Sequence, residues 1–256
     1  DVYWNFHSLT KSIKEAKVWI SKCLTADSTY QNAQLMSAML EAFEGNPSKL
    51  DKLKSSDLRG HPCIRSADWV SALKSKPKIF FNRWFLYDFI IEQSLKDRPF
   101  YEFGVWRGVS FKYLIKSFKK GYGFDTFTGL PENWHNEKKG TYSSGGNIPK
   151  IKGGQFIVGK FEDTLEQFFA NPRPKASIIN FDADLYSATI CALNNCKSVI
   201  DEKTILVFDE FLINENWERD EYKALIEFCD INRYDFDVLA ISFFSKQVAL
   251  KLKLKK

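Results

Sequence analysis

The sequence predicts an α/β fold: a mostly parallel sheet closed by an antiparallel C-terminal hairpin and preceded by a helical N-terminal cap. Three observations predict it. In the first 97 residues apolar side chains recur at spacings of three and four, the period of helices with one buried face (Leu35, Met39, Leu40 and Phe43, for example). From residue 98 to 256 short apolar runs alternate with helical stretches, as parallel strands joined by crossover helices require. Finally, Phe236–Ser242 and Gln247–Leu254 are separated only by Phe243–Lys246, too little chain for a crossover, so they pair antiparallel.

Taken in order, the cap (residues 1–97) is a set of helices interrupted at Gly45-Asn46-Pro47 and Gly60-His61-Pro62. Its last segment, Phe81–Leu95, is apolar on more than one face and is expected to pack against the sheet that follows. In the second domain (98–256) strands are expected at Phe100–Gly104, Gly121–Asp125, Gln155–Gly159, Ser177–Asp182 and Thr204–Asp209. Helices are expected at Val109–Lys119, Leu185–Ile200 and Trp217–Asp230. Lys251, Lys253, Lys255 and Lys256 alternate with leucines and read as an edge strand whose solvated lysines oppose aggregation.

Composition narrows the function. An apolar fraction of 44% with 23 phenylalanines excludes a disordered chain. A net charge of +5, from scattered rather than clustered lysines, asks for no nucleic-acid partner. Five cysteines without metal spacing (Cys23, Cys63, Cys191, Cys196, Cys229) suit reduced thiols in a cytoplasmic setting. No apolar run reaches membrane-spanning length, so no membrane role is expected.

The chemistry gathers at predicted strand ends. Glu102-Phe103-Gly104-Val105-Trp106-Arg107-Gly108 is a strand end, a glycine turn and a helix start, where backbone can approach a ligand. It departs from the dinucleotide fingerprint, because Trp106 stands where that motif has its second glycine. Asp125 ends the next strand, 21 residues after Gly104, where an acid can bind the ribose hydroxyls of a nucleoside. Phe161 and Glu162 follow the third strand, where they could flank an adenine, although the same run could serve to cap a helix through Asp163. Asp182, Asp184, Asp209 and Glu210 follow the next two strands, and carboxylates so grouped suit a hard cation such as Mg²⁺. Their alternative use is capping by Asp182 or Asp184 and simple exposure for Glu210. Of three histidines, His135 lies beside Trp134 in the polar loop Pro131–Gly154, where a substrate would enter, and reads first as a surface residue. His7 and His61 lie in the cap and suggest no chemistry.

These motifs together resemble the metal-dependent O-methyltransferases of the macrocin O-methyltransferase type, which share the Rossmann-like class I methyltransferase fold. The resemblance is carried by Tyr101–Gly108, Gly123–Glu132, Gly159–Leu165, Phe181–Thr189 and Val207–Phe211. It implies that Glu102, Gly104, Val105, Trp106, Gly108, Ser110, Asp125, Thr126, Phe161, Glu162 and Asp182 line a site for S-adenosylmethionine. It further implies that Asp182, Asp209 and Glu210 hold Mg²⁺, and that Asp182 or Asp184 is the catalytic base. The chain departs from the family in having Asp209-Glu210 for a pair of aspartates, Glu202-Lys203 for a pair of glycines, and a shorter loop after Glu132. The acceptor implied is a hydroxyl of a small molecule such as a sugar or secondary metabolite. Two other readings compete. Asp182-Ala183-Asp184 also resembles the cation-binding motif of glycosyltransferases, and the fold can serve as a non-catalytic cofactor-binding protein. The apolar cap offers a surface through which two copies could pair as a homodimer.

Overall fold

The computed structural model describes residues 2–255 and contains two compact units. The first comprises the chain up to Leu86 together with Glu210–Trp217 and Val238–Val248; the second comprises Tyr87–Asp209, Glu218–Asp237 and the chain from Ala249 onward.

In the first unit, helices α1 (Val2–His7), α2 (Ile13–Ala26), α3 (Gln31–Glu44), α4 (Ser48–Lys54) and α5 (Pro62–Ser71) follow one another. Their ends obey local chemistry. Ser12 caps α2 by accepting from the Glu15 amide, while the Glu15 carboxylate accepts from the Lys11 amide. Gly45 closes α3 in the left-handed region at φ +106°, and α5 begins with Pro62 in its first turn and His61 Nδ1 accepting from the Cys63 amide. Helix α3 is buried on nearly every side, from Ala33 through Leu40. The mostly helical pattern expected here is interrupted by β1 (Lys78–Phe80), a strand parallel to β7 with Ile79 opposite Ile241. Three residues are too few to display a period of two, which is why the strand left no pattern.

Helix α6 (Arg83–Glu92) leads into the second unit and the strands β2 (Phe100–Phe103), β3 (Gly121–Asp125), β4 (Gly154–Val158), β5 (Ile178–Phe181) and β6 (Ile205–Phe208). Helices α7 (Val109–Leu114), α8 (Phe161–Phe169), α9 (Tyr186–Cys196) and α10 (Glu221–Asn232) provide the connections, and the strands β7 (Tyr234–Ser242) and β8 (Val248–Leu254) form the closing antiparallel hairpin. The sheet order is β1-β7-β8-β6-β5-β2-β3-β4, and the pairs β6·β5, β5·β2, β2·β3 and β3·β4 are all parallel. Three helix ends differ from expectation. Helix α7 stops at Leu114, while α9 and α10 are flanked by 3₁₀ turns at Lys197–Val199 and Trp217–Arg219, which periodicity cannot distinguish from helix. The lysine-bearing strand is also corrected: β8 lies between β7 and β6 rather than at an edge. Leu250 and Leu252 are buried, and the alternating lysines pair with acids, Lys253 with Asp237 at 2.5 Å and Lys255 with Asp230 at 2.8 Å.

The central strands are locked by aromatic stacking. Phe103, Phe124, Phe181 and Phe208, the last or penultimate residue of each strand, lie opposite one another in register. Their ring centroids are 4.7, 5.4 and 4.8 Å apart across successive pairs and the planes lie within 16° of parallel. Helix α8 covers this face, with Phe161 against Phe103 and Phe168 against Phe124. On the opposite face Phe111 of α7 packs on Phe100, and Tyr87 of α6 donates to Asn180 at 3.1 Å, so α6 meets the sheet as expected.

Two outcomes follow for stability. Phe103→Ala empties a fully buried site at the centre of the ladder and should cost about 3–5 kcal/mol in a urea melt. In the first unit His7 is wholly buried among Trp4, Phe81 and Phe244, and burial lowers its pKa from 6.5 to about 4 despite a bond to the Trp4 carbonyl. Between those values the unfolded chain binds the extra proton, so stability falls as pH drops from 6.5 to about 4, by as much as ~3 kcal/mol. Melts across that range should show His7→Phe to be less acid-sensitive than the parent.

Candidate functional site at the C-terminal edge of the sheet

The phenylalanine ladder delivers the residues that follow it to one edge. Backbone bonds continue the pairing one step beyond the strands: Gly104 donates to Phe124, Asp182 to Phe103 and Asp209 to Phe181, at 2.8–3.0 Å. Gly104, Asp125, Asp182 and Asp209 therefore emerge side by side at the C-terminal edge of a parallel sheet, the edge at which open α/β sheets bind ligands.

Gly104 has φ +92°, and a Cβ placed on it would stand 1.7 Å from the Asp182 carbonyl oxygen. The glycine is thus required by the close approach of two strand ends. Beyond it the turn is held by Asp125, whose Oδ2 accepts from the amides of Val105 (2.7 Å) and Trp106 (2.6 Å), while Oδ1 accepts from Phe127 (2.6 Å). Three of the roughly four acceptor positions of a carboxylate are engaged in this way. Gly108, left-handed at φ +71°, starts α7. Ser110 on that helix donates to Glu102 at 2.8 Å, and both residues are buried.

The structure places the other expected ligands unevenly. Val105 is buried and Trp106 is part-exposed at φ +48°, with the Arg107 guanidinium 4.7 Å from its ring. Thr126 donates to the Gly129 carbonyl and so shapes the next turn. Phe161 turns into the core against Phe103, whereas Glu162 stays outside with Lys160 at 3.4 Å. Asp163 does not cap α8: the helix begins at Phe161, Lys160 is its cap residue, and both acids lie in the first turn, where they favour the helix dipole. Asp182 and Asp184 do not cap α9 either, since Leu185 occupies that position. Asp184 sits at φ +62°, a conformation that aspartate tolerates better than most residues and that is frequent at functional sites.

The loop after β3 roofs this edge. The Phe127 carbonyl gathers Ser144 and Gly146 amides, Trp106 Nε1 donates to Ser143 at 3.2 Å, and Leu130 pairs with Thr141 and Gly140. From there the chain crosses to the far side: Ser187 at the start of α9 donates to Glu132 at 2.6 Å, and His135 Nε2 meets Asp220 at 2.7 Å. The expectation of a plain surface histidine is therefore corrected, because His135 is only 24% exposed and anchors the loop. Neither Ser187 nor Asp220 carried any local signal, since each partner lies more than fifty residues away in the chain. Near this anchor, Tyr186 donates to Glu227 at 2.5 Å, and that bond, with burial, holds its hydroxyl above the usual phenol range. The tyrosine hydroxyl is thus committed as a donor to Glu227.

The expected Mg²⁺ ligands are divided between the two units. Asp182 and Asp209 are neighbours in the second unit, with Asp209 buried. Glu210 belongs to the first unit, where its Oε2 accepts from Lys246 Nζ at 3.0 Å and from the Asn214 amide. Among the described residues, no group of three or more His, Cys, Asp or Glu side chains is arranged to hold a metal ion.

No family model and no curated protein matches the sequence. Solved structures do match the fold. CalS11, a calicheamicin methyltransferase, is 17% identical over 88% of this chain and 93% of its own, with a TM-score of 0.52. The O-methyltransferase NovP is 16% identical over 68% of this chain and 80% of its own, with a TM-score of 0.50. At these identities the likeness establishes the fold: a Rossmann-like class I methyltransferase sheet of eight strands with its antiparallel C-terminal hairpin.

The turn yields a direct test. Gly104→Ala should destabilise by at least ~2–4 kcal/mol, because a left-handed alanine is added to a backbone collision. Gly140→Ala, also left-handed but open to space, should cost only about 1–2 kcal/mol in the same denaturation series.

Proposed function

We propose that the chain is an S-adenosylmethionine-dependent O-methyltransferase acting on a hydroxyl of a small molecule such as a sugar or secondary metabolite. The observation that carries this reading is the convergence of the Gly104 turn, the Asp125 carboxylate that braces it, and Asp182 and Asp184 at one sheet edge. Two structures of the same fold, CalS11 and NovP, are methyltransferases by name, which supports the activity, and the motif resemblance supports the kind of acceptor.

When bound, S-adenosylmethionine supplies a methyl group on a positively charged sulfur, which an acceptor oxygen takes. The residues of this chain do the rest. Glu102, Gly104, Val105, Trp106, Gly108 and Ser110 form the wall against which the cofactor lies, and Asp125 offers its remaining acceptor position to a ribose hydroxyl. Thr126, Phe161 and Glu162 border the same wall, Phe161 by packing beneath it. Asp182 or Asp184 receives the proton of the acceptor hydroxyl as it becomes a better nucleophile. The loop over the edge, tied through Glu132 and His135, limits water and holds the acceptor in place, a contribution worth several kcal/mol in well-oriented reactions.

Calorimetric titration with S-adenosylmethionine tests the proposal. The parent protein should bind, Asp125→Ala should weaken binding at least ~10-fold, and Asp182→Asn should bind within about tenfold of the parent yet lose at least ~100-fold in methyl transfer to a panel of hydroxylated acceptors. A parent protein that fails to bind S-adenosylmethionine would overturn the reading, and product formation from a nucleotide sugar would establish a glycosyltransferase in its place.

A further inference from the structure

The acid that departs from the family pattern, Glu210, has a cation of its own. Its Oε2 lies 3.0 Å from Lys246 Nζ, and the same nitrogen donates to Asn214 Oδ1 at 2.5 Å. The Asn214 amide in turn donates to Glu210, so the three side chains close a triangle within the first unit. The triangle is built in rather than incidental. Lys246 stands in the tight turn between β7 and β8 at φ +69°, with its amide bonded to Ser242 at 2.8 Å. Asn214 follows Ile213, itself at φ +73° and bonded through its amide to Ser66 Oγ at 2.9 Å. Two left-handed non-glycine residues thus flank or form the cluster, and both ionic partners are mostly shielded, with side chains 33% and 20% exposed.

We infer that Lys246 takes the place of a divalent metal at the end of β6, so that the methyl transfer proposed above, on which this inference rests, proceeds without Mg²⁺. A hard cation is held by oxygen ligands, and every carboxylate it uses must give up competing cations. Here the carboxylate one residue beyond Asp209 is occupied by an ammonium. The extra methylene of glutamate over aspartate carries the carboxylate to the lysine, and a metal sharing that carboxylate would stand beside a like charge. Lysine supplies one positive charge, fixed by the fold rather than recruited from solution. Lys246 is accordingly a positioning residue: it holds Glu210 and balances its charge.

The test uses Mn²⁺ alone as the probe, with free ion counted by electron paramagnetic resonance on the full chain. The parent should show no saturable site tighter than about 1 mM. Lys246→Met, which keeps the packed stem, and Lys246→Ala should each gain at least ~10-fold in Mn²⁺ affinity, and adding Glu210→Gln to either should abolish the gain. A parent site tighter than about 1 mM that Glu210→Gln removes would overturn the inference, as would folded Lys246 variants that gain nothing. S-adenosylmethionine calorimetry on the same samples separates the two readings. Failure to bind the cofactor defeats the methyltransferase assignment, whereas methyl transfer by parent protein that halts in EDTA and returns with Mg²⁺ defeats only the role of Lys246.

Discussion

The stacked ladder of Phe103, Phe124, Phe181 and Phe208 is the interaction on which the candidate site depends. Each parallel pair could in principle slide, and a slip by one residue would turn every side chain to the opposite face. Stacked rings at matching positions on four adjacent strands oppose such a slip, each pair adding about 0.5–1.5 kcal/mol beyond simple burial. With the rings aligned, the strands end together. The next residues, Gly104, Asp125, Asp182 and Asp209, then reach the same edge without further instruction.

At that edge the turn and the acids hold one another. Gly104 lets β2 end close against the Asp182 carbonyl, and Asp125 pins the amides that would otherwise be left exposed after the turn. The Asp125 carboxylate, bonded to three backbone amides, fixes the geometry of the turn. The roof over the edge is secured by longer reaches, Glu132 to Ser187 and His135 to Asp220.

Charge at the end of β6 is handled differently from what the motifs imply. Asp209 is drawn into the sheet edge, while Glu210 turns to an ammonium supplied by the closing hairpin. Glu210 and Lys246 lie thirty-six positions apart, and their pairing is visible only once both are placed in space.

By itself the sequence determined the fold class, the order of the strands' apolar runs, the hairpin and the identity of the residues at the strand ends. These follow from local pattern: burial on both faces makes parallel strands continuously apolar, and turns demand glycine or aspartate at particular conformations. Tertiary structure alone decided which of those residues are engaged and by what. The inward turn of Phe161, the anchoring of His135, the place of β8 inside the sheet, the strand β1 and the pairing of Glu210 with Lys246 all depend on partners distant in the chain. Periodicity and capping act over a few residues. Hydrogen bonds and ion pairs between remote side chains form only when packing has brought their elements together.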